Sequence, residues 1–148
     1  MILPKCEKNF GAVRKEKILI GEFDPFLRGL LVECLEDAYE VVAVDCGDDL
    51  ERELRNRPYD LVLREVILPG KPLADIARAL PEASTRIPCI LMVNGEMEVS
   101  PVLCGYRSEL AVPLTLPKPF GLEALFGQIR RALGEASVTA ACAIGRSA

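Results

Sequence analysis

The sequence predicts an α/β fold: a doubly wound, five-stranded parallel sheet with helices on both faces. Strand-like apolar runs and segments of helical period alternate five times along the chain. The run from Asp60 to Gly70 (DLVLREVILPG) is long enough for one buried strand and stops at a Pro-Gly turn signal. Just before that stop stand Arg64 and Glu65, and charge at the carboxyl end of a central strand is costly unless solvated, paired or functional. In open parallel sheets that same end is where ligands and chemistry sit.

Taken in order, residues 1–15 mix Lys, Glu, Gly and Asn without periodicity and form an expected flexible extension. Lys17 to Gly21 is a short buried strand. Phe26, Leu27, Leu30, Leu31, Cys34 and Leu35 follow at helical spacing, with Asp24 placed as N-cap and Pro25 in the first turn. Tyr39 to Val44 alternates and is β-branched, the second strand. Asp48 to Arg57 makes a short charged helix ended by Pro58. Leu61 to Val66 is the third strand, and 72–83 a helix with Leu73, Ile76, Ala77 and Leu80 on one side. Cys89 to Val93 is the fourth strand, closed by Asn94-Gly95. Pro101, Gly105 and Pro113 leave only a brief, distorted helix over 97–108. Residues 111–116 hold the fifth strand. Gly121 to Ala136 is the last helix, with Leu122, Leu125, Phe126, Ile129 and Leu133 inward, and 136–148 reads as a disordered tail. The ordered unit is expected over 16–135.

Composition narrows the function classes. The 148 residues suffice for one domain with a real core, half of them hydrophobic and 27% charged. A net charge of −4 without a basic stripe argues against a nucleic-acid surface. No segment reads as a signal peptide or a membrane span, so the expected location is cytoplasmic. The six cysteines have no close pairs and fit neither a zinc site nor a redox motif; they read as reduced thiols, with Cys34 and Cys89 in the core. Histidine is absent, which excludes a catalytic His and a phosphohistidine relay. No Gly-rich phosphate loop is present, which disfavours nucleotide, flavin and cobalamin.

Periodicity alone leaves several doubly wound folds open. From about Lys17 to Leu133, however, the chain resembles the receiver domains of response regulators, on three segments: KILIGEFDPFLR, DLVLREVILPG, and LPKPF followed by an amphipathic helix. The resemblance implies the flavodoxin-like (CheY-like) strand order 2-1-3-4-5. It also implies a pocket where an acidic pair holds Mg²⁺, an aspartate accepts a phosphoryl group, and a hydroxyl and a lysine stabilise the transferring oxygens.

Matched residue by residue, the acidic pair falls on Glu22 and Phe23, the acceptor on Glu65, the hydroxyl position on Val93 and the lysine on Lys118. Phe23 cannot ligate a metal and is expected to put apolar bulk into the pocket. Asp24 is retained next door, with helix capping as its expected job. Glu65 carries its oxygens one methylene further out, and a misplacement of about 1 Å can cost on the order of a hundredfold in rate. Val93 offers no donor. Thr115 stands where many receivers have a switch aromatic, and Lys118-Pro119 is a candidate cis peptide. Arg64 is expected to snorkel its head into solvent.

These departures predict a degenerate, stand-alone receiver that is no enzyme, holds no Mg²⁺ and acts as a phosphorylation-independent interaction module. Glu65 either imitates a charged acceptor or simply pairs with Lys118. Expected partners are proteins (a signalling kinase, a regulator or another receiver) or a second copy, met through the 97–133 face with Leu110, Ala111, Val112 and Leu114; nucleic acid and membrane are not expected. Two alternatives remain: a small-molecule sensor using a crevice lined by Phe23, Met92 and Val93, and a phosphorylatable regulator using Glu65 or Asp24.

Overall fold

In a computed structural model of the protein, the elements run β1 (Lys17–Gly21), α1 (Pro25–Leu35), β2 (Glu40–Val44), α2 (Gly47–Asn56), β3 (Leu61–Glu65), β4 (Cys89–Asn94), β5 (Leu114–Lys118) and α3 (Leu122–Ser147). The structure describes residues 14–71, 86–94 and 114–147, with side chains through residue 134. The helices expected over 72–83 and 97–108 lie outside the described residues, as do most of the 1–15 extension and residues 111–113 of the expected fifth strand.

The five strands form one parallel sheet in the order β2-β1-β3-β4-β5, as expected. Strand alternation divides the apolar residues between two cores. Ile18, Ile20, Leu61, Leu63, Ile90, Met92 and Leu116 face one side, where α1 brings Leu31 and Leu35 and α3 brings Leu125, Ile129 and Ala132. Leu19, Val62, Cys89, Leu91 and Val93 face the other, under Leu50 and Leu54 of α2. Each fully buried Leu or Ile contributes about 1.5–3 kcal/mol of transfer free energy. Cys89 lies in the core as expected, whereas Cys34 is only half-buried.

Asp24 caps α1: its Oδ1 accepts from the Phe26 amide at 2.9 Å, and Pro25 occupies the first turn. At α2 no side chain caps the N-terminus; instead the Gly47 amide donates to the Pro69 carbonyl at 2.7 Å, tying the helix to the chain that leaves β3. Gly70 closes that loop at φ +93°, and an added Cβ would stand 2.8 Å from Asp48 Oδ2. Lys71 completes the tie through Glu51 at 2.9 Å.

Three expectations need correction. The last helix does not stop near Ala136 but continues to Ser147, where an alanine-rich, proline-free stretch sustains helix that its small and polar residues had assigned to a disordered tail. The fifth strand ends later than expected, because pairing with β4 carries it past Leu116 through Pro117 to Lys118; the proline is tolerated on an edge strand. Arg64 does not reach solvent: it is 2% exposed, its Nε donating to the Glu65 carbonyl at 2.8 Å and its Nη2 to the Val66 carbonyl at 3.3 Å. Gly21, its neighbour in register on β1, has no Cβ to crowd it, and carbonyl oxygens take the place of water.

Glycine substitutions at Gly70 and Gly29 should act in opposite directions. Gly70→Ala forces a side chain into a left-handed turn and onto Asp48, and should lower stability by about 1–2 kcal/mol. Gly29 lies inside α1 with nothing within 4 Å of an added Cβ, so Gly29→Ala should raise stability by about 0.5–1 kcal/mol. Urea midpoints read both; a loss at Gly29 would show that its open surroundings are misassigned.

Candidate functional site

The carboxyl ends of β1, β3 and β5 deliver three charged groups to one point. Glu22 follows β1, Glu65 ends β3 and Lys118 ends β5. Lys118 Nζ donates to Glu22 Oε1 at 2.9 Å and to Glu65 Oε1 at 2.6 Å. The Glu22 side chain is 1% exposed; those of Glu65 and Lys118 are 18% exposed each. The second Glu22 oxygen accepts from the Asp24 amide at 3.0 Å. Arg28, which the sequence reading passed over, donates to the carbonyls of Glu22 and Phe23 at 3.0 and 3.1 Å and so pins the β1–α1 turn. Its place one helical turn beyond the Asp24 cap was the available signal.

The electrostatics follow from burial and sharing. Burial, together with the neighbouring Glu65, pushes the Glu22 carboxyl above its ordinary pKa against the pull of the Asp24 amide and Lys118. Burial acts the same way on Glu65, but the hydrogen bond from Lys118, the Lys118 charge and the Phe23 amide hold it below its ordinary value. A proton entering this pair therefore settles on Glu22. Burial would lower Lys118, yet its two carboxylate partners raise it above the usual lysine value.

The side chains of the other residues singled out in the sequence do not join this cluster. Phe23 is 58% exposed and turns outward, so it does not fill the pocket as expected: Glu22 takes the inward direction and its neighbour takes the opposite one. Val93 and Met92 are 4% and 1% exposed and sit in the two opposite cores, so neither lines a crevice. The open space beside the site is instead a shallow groove of about 480 Å³ lined by Leu27, Asn94, Lys118, Pro119 and Phe120. Thr115 is half-buried, and its carbonyl accepts from Gln128 Nε2 at 2.8 Å, joining β5 to α3. The Lys118-Pro119 peptide is cis, as its sequence signal indicated.

The donors present do not match a Mg²⁺ site. Glu22 and Glu65 both spend an oxygen on the same ammonium, Phe23 offers no ligand atom, and Asp24 Oδ1 is committed to its helix cap. Among the described residues, no helix is long and apolar enough to cross a membrane.

No protein-family model matches the chain. Among curated proteins it is 31% identical over 117 residues to the transcriptional regulatory protein CiaR of Streptococcus pneumoniae, a match covering 79% of this chain and 51% of that protein. The chain thus spans about half the length of that relative. It is 29% identical over 119 residues to the response regulator receiver protein CpdR of Brucella abortus, covering 80% of this chain and 97% of that one. Among solved structures, the non-phosphorylated HemR receiver domain of Leptospira biflexa superposes with a TM-score of 0.67 at 28% identity, covering 80% of this chain and 94% of that one. With the strand order and the retained Lys118 at the end of β5, these matches make the chain a receiver domain of the response-regulator family.

Proposed function

We propose that this receiver works without phosphorylation, as a protein-interaction module of a two-component-type signalling system. The observation that carries the reading is the Lys118 ammonium shared between Glu22 and Glu65. In a phosphorylating pocket these groups would be available to metal and phosphoryl oxygens; here they satisfy one another. Phe23 on the surface and Val93 in the core supply neither a second metal ligand nor a hydroxyl donor. Between the two roles considered for Glu65, the same sharing favours structural pairing over imitation. A carboxylate bears less charge than a phosphoryl group, which adds about −1.5 to −2; Val93 has no hydroxyl to read it, and Thr115 stands in place of the switch aromatic. The groove lined by Leu27, Asn94, Lys118, Pro119 and Phe120 favours a second reading, a small-molecule sensor, which ligand-dependent shifts in melting temperature would reveal.

Incubation with Mg²⁺ and a small acyl-phosphate donor should leave the intact mass unchanged, under conditions that modify an ordinary receiver. A gain of one phosphoryl group would overturn the proposal, and peptide mapping to Glu65 or Asp24 would name the acceptor.

The pairing makes its own prediction. Because the folded Lys118 pKa lies above the unfolded value, its contribution to stability is present below about pH 10.5 and fades as pH rises through the folded value. Lys118→Met leaves two carboxylates facing each other, and this should cost about 2 kcal/mol at pH 7, between the exposed and fully buried cases. Both carboxyl pKa values then rise, so the variant should regain part of its loss as pH falls from 7 toward 5. Equal losses in urea midpoint at both pH values would show that the ammonium is not what holds the pair.

A further inference from the structure

The sheet ends on two edges that the chain treats differently. At one edge β5 carries Pro117 and Lys118, a proline and a charge that discourage a further strand. At the other edge β2 reads EVVAV, with no proline and no charge from Val41 to Val44, and it pairs with β1 in unbroken register. The Glu40 amide donates to the Glu16 carbonyl at 2.9 Å, and the Val44 carbonyl accepts from the Glu22 amide at 3.0 Å. The backbone groups of successive strand residues point to opposite sides, so those of Glu40, Val42 and Val44 face β1. Those of Val41 and Ala43 point away from the sheet, and among the described residues no strand lies on that side. The side chains of β2 are half-buried on both faces: Val41 and Ala43 border the core under α1 and α3, Val42 and Val44 the core under α2. A strand added at this edge would gain main-chain hydrogen bonds and lengthen both cores at once.

Charge says what kind of strand fits. Exposed Asp37 precedes β2 and exposed Asp45 follows it, and among the described residues neither is in an ion pair. Glu40 adds a third exposed acid, 3.9 Å from the Lys17 ammonium. Two copies paired antiparallel about Val42 would bring Glu40 of each toward Asp45 of the other, in a chain of net charge −4. We infer that the free edge of β2 is a docking site for an extended segment of another protein, apolar at its centre and carrying lysine or arginine at both ends. Main-chain bonds to Val41 and Ala43 fix the register, the half-buried β2 side chains give apolar contact on either face, and the flanking acids select a basic segment over a second copy. The inference rests on the interaction-module reading and places the contact at β2 rather than on the 97–133 face expected from the sequence.

The probe is a synthetic peptide of about nine residues, alternating valine and threonine at its centre with lysines at each end. One control carries glutamates in place of the lysines. Another is N-methylated throughout its centre and has no amide donors there to offer. ¹⁵N-labelled full-length protein at low salt reads amide shifts and amide exchange. The lysine-flanked peptide should bind saturably and slow exchange at the Val41 and Ala43 amides by at least about tenfold. Val42 and Val44, whose amides already face β1, should change little. Both controls should bind at least about tenfold more weakly. In the Asp37→Lys/Asp45→Lys variant the preference should reverse in favour of the glutamate-flanked peptide. Both substitutions lie at exposed positions, and an unchanged melting temperature confirms that the variant folds. No binding of the lysine-flanked peptide, undiminished binding of the N-methylated one, or a preference that the variant leaves unchanged overturns the inference. So does a dimer in sedimentation that protects Val41 and Ala43 without peptide. Shifts centred on 114–134 overturn the choice of surface while leaving the interaction-module reading standing. Phosphoryl uptake in the mass experiment overturns that reading without moving the exchange map.

Discussion

One ammonium held between two carboxylates from different strands is the contact on which the functional end of the sheet depends. It exists because the register is right along three strand pairs. Gly21 stands opposite Arg64, Glu65 opposite Met92, and Asn94 opposite Lys118. A slip of one residue in β5 would turn Lys118 to the other face of the sheet. Two unit charges about 4 Å apart attract by roughly 4 kcal/mol at an effective dielectric of 20, and desolvation of the partners offsets much of it. The net gain is therefore modest, while the cost of removing one partner is large. Glu22, almost wholly out of water, makes that asymmetry steepest.

A second buried charge lies directly beside the first. Arg64 is enclosed by the α2 side of the sheet and donates to the carbonyls of the two residues that follow it. It thus anchors the chain where β3 ends, just where Glu65 turns toward Lys118. The loop beyond is held at its far end by the Gly47 amide on Pro69 and by Lys71 on Glu51. Both ends of the stretch from Glu65 to Lys71 are fixed by polar contacts.

Most element boundaries were legible because strand period, helix period and turn residues agree locally, whereas the strand order came only with the family resemblance; Asp24-Pro25 announces its helix by cap chemistry alone. The meeting of Glu22, Glu65 and Lys118 was legible only through the family resemblance, since the three residues are far apart in the chain. What misled was directional. Nothing in a one-dimensional pattern says that Glu22 turns in and Phe23 out, or that Arg64 finds carbonyl partners inside rather than water outside. The burial of Arg64 depends on Gly21, where an added side chain would crowd the Arg64 Cβ, a closeness that only the assembled sheet reveals. The end of α3 was misjudged for a different reason: small residues were weighed as disorder-promoting when alanine is the strongest helix former.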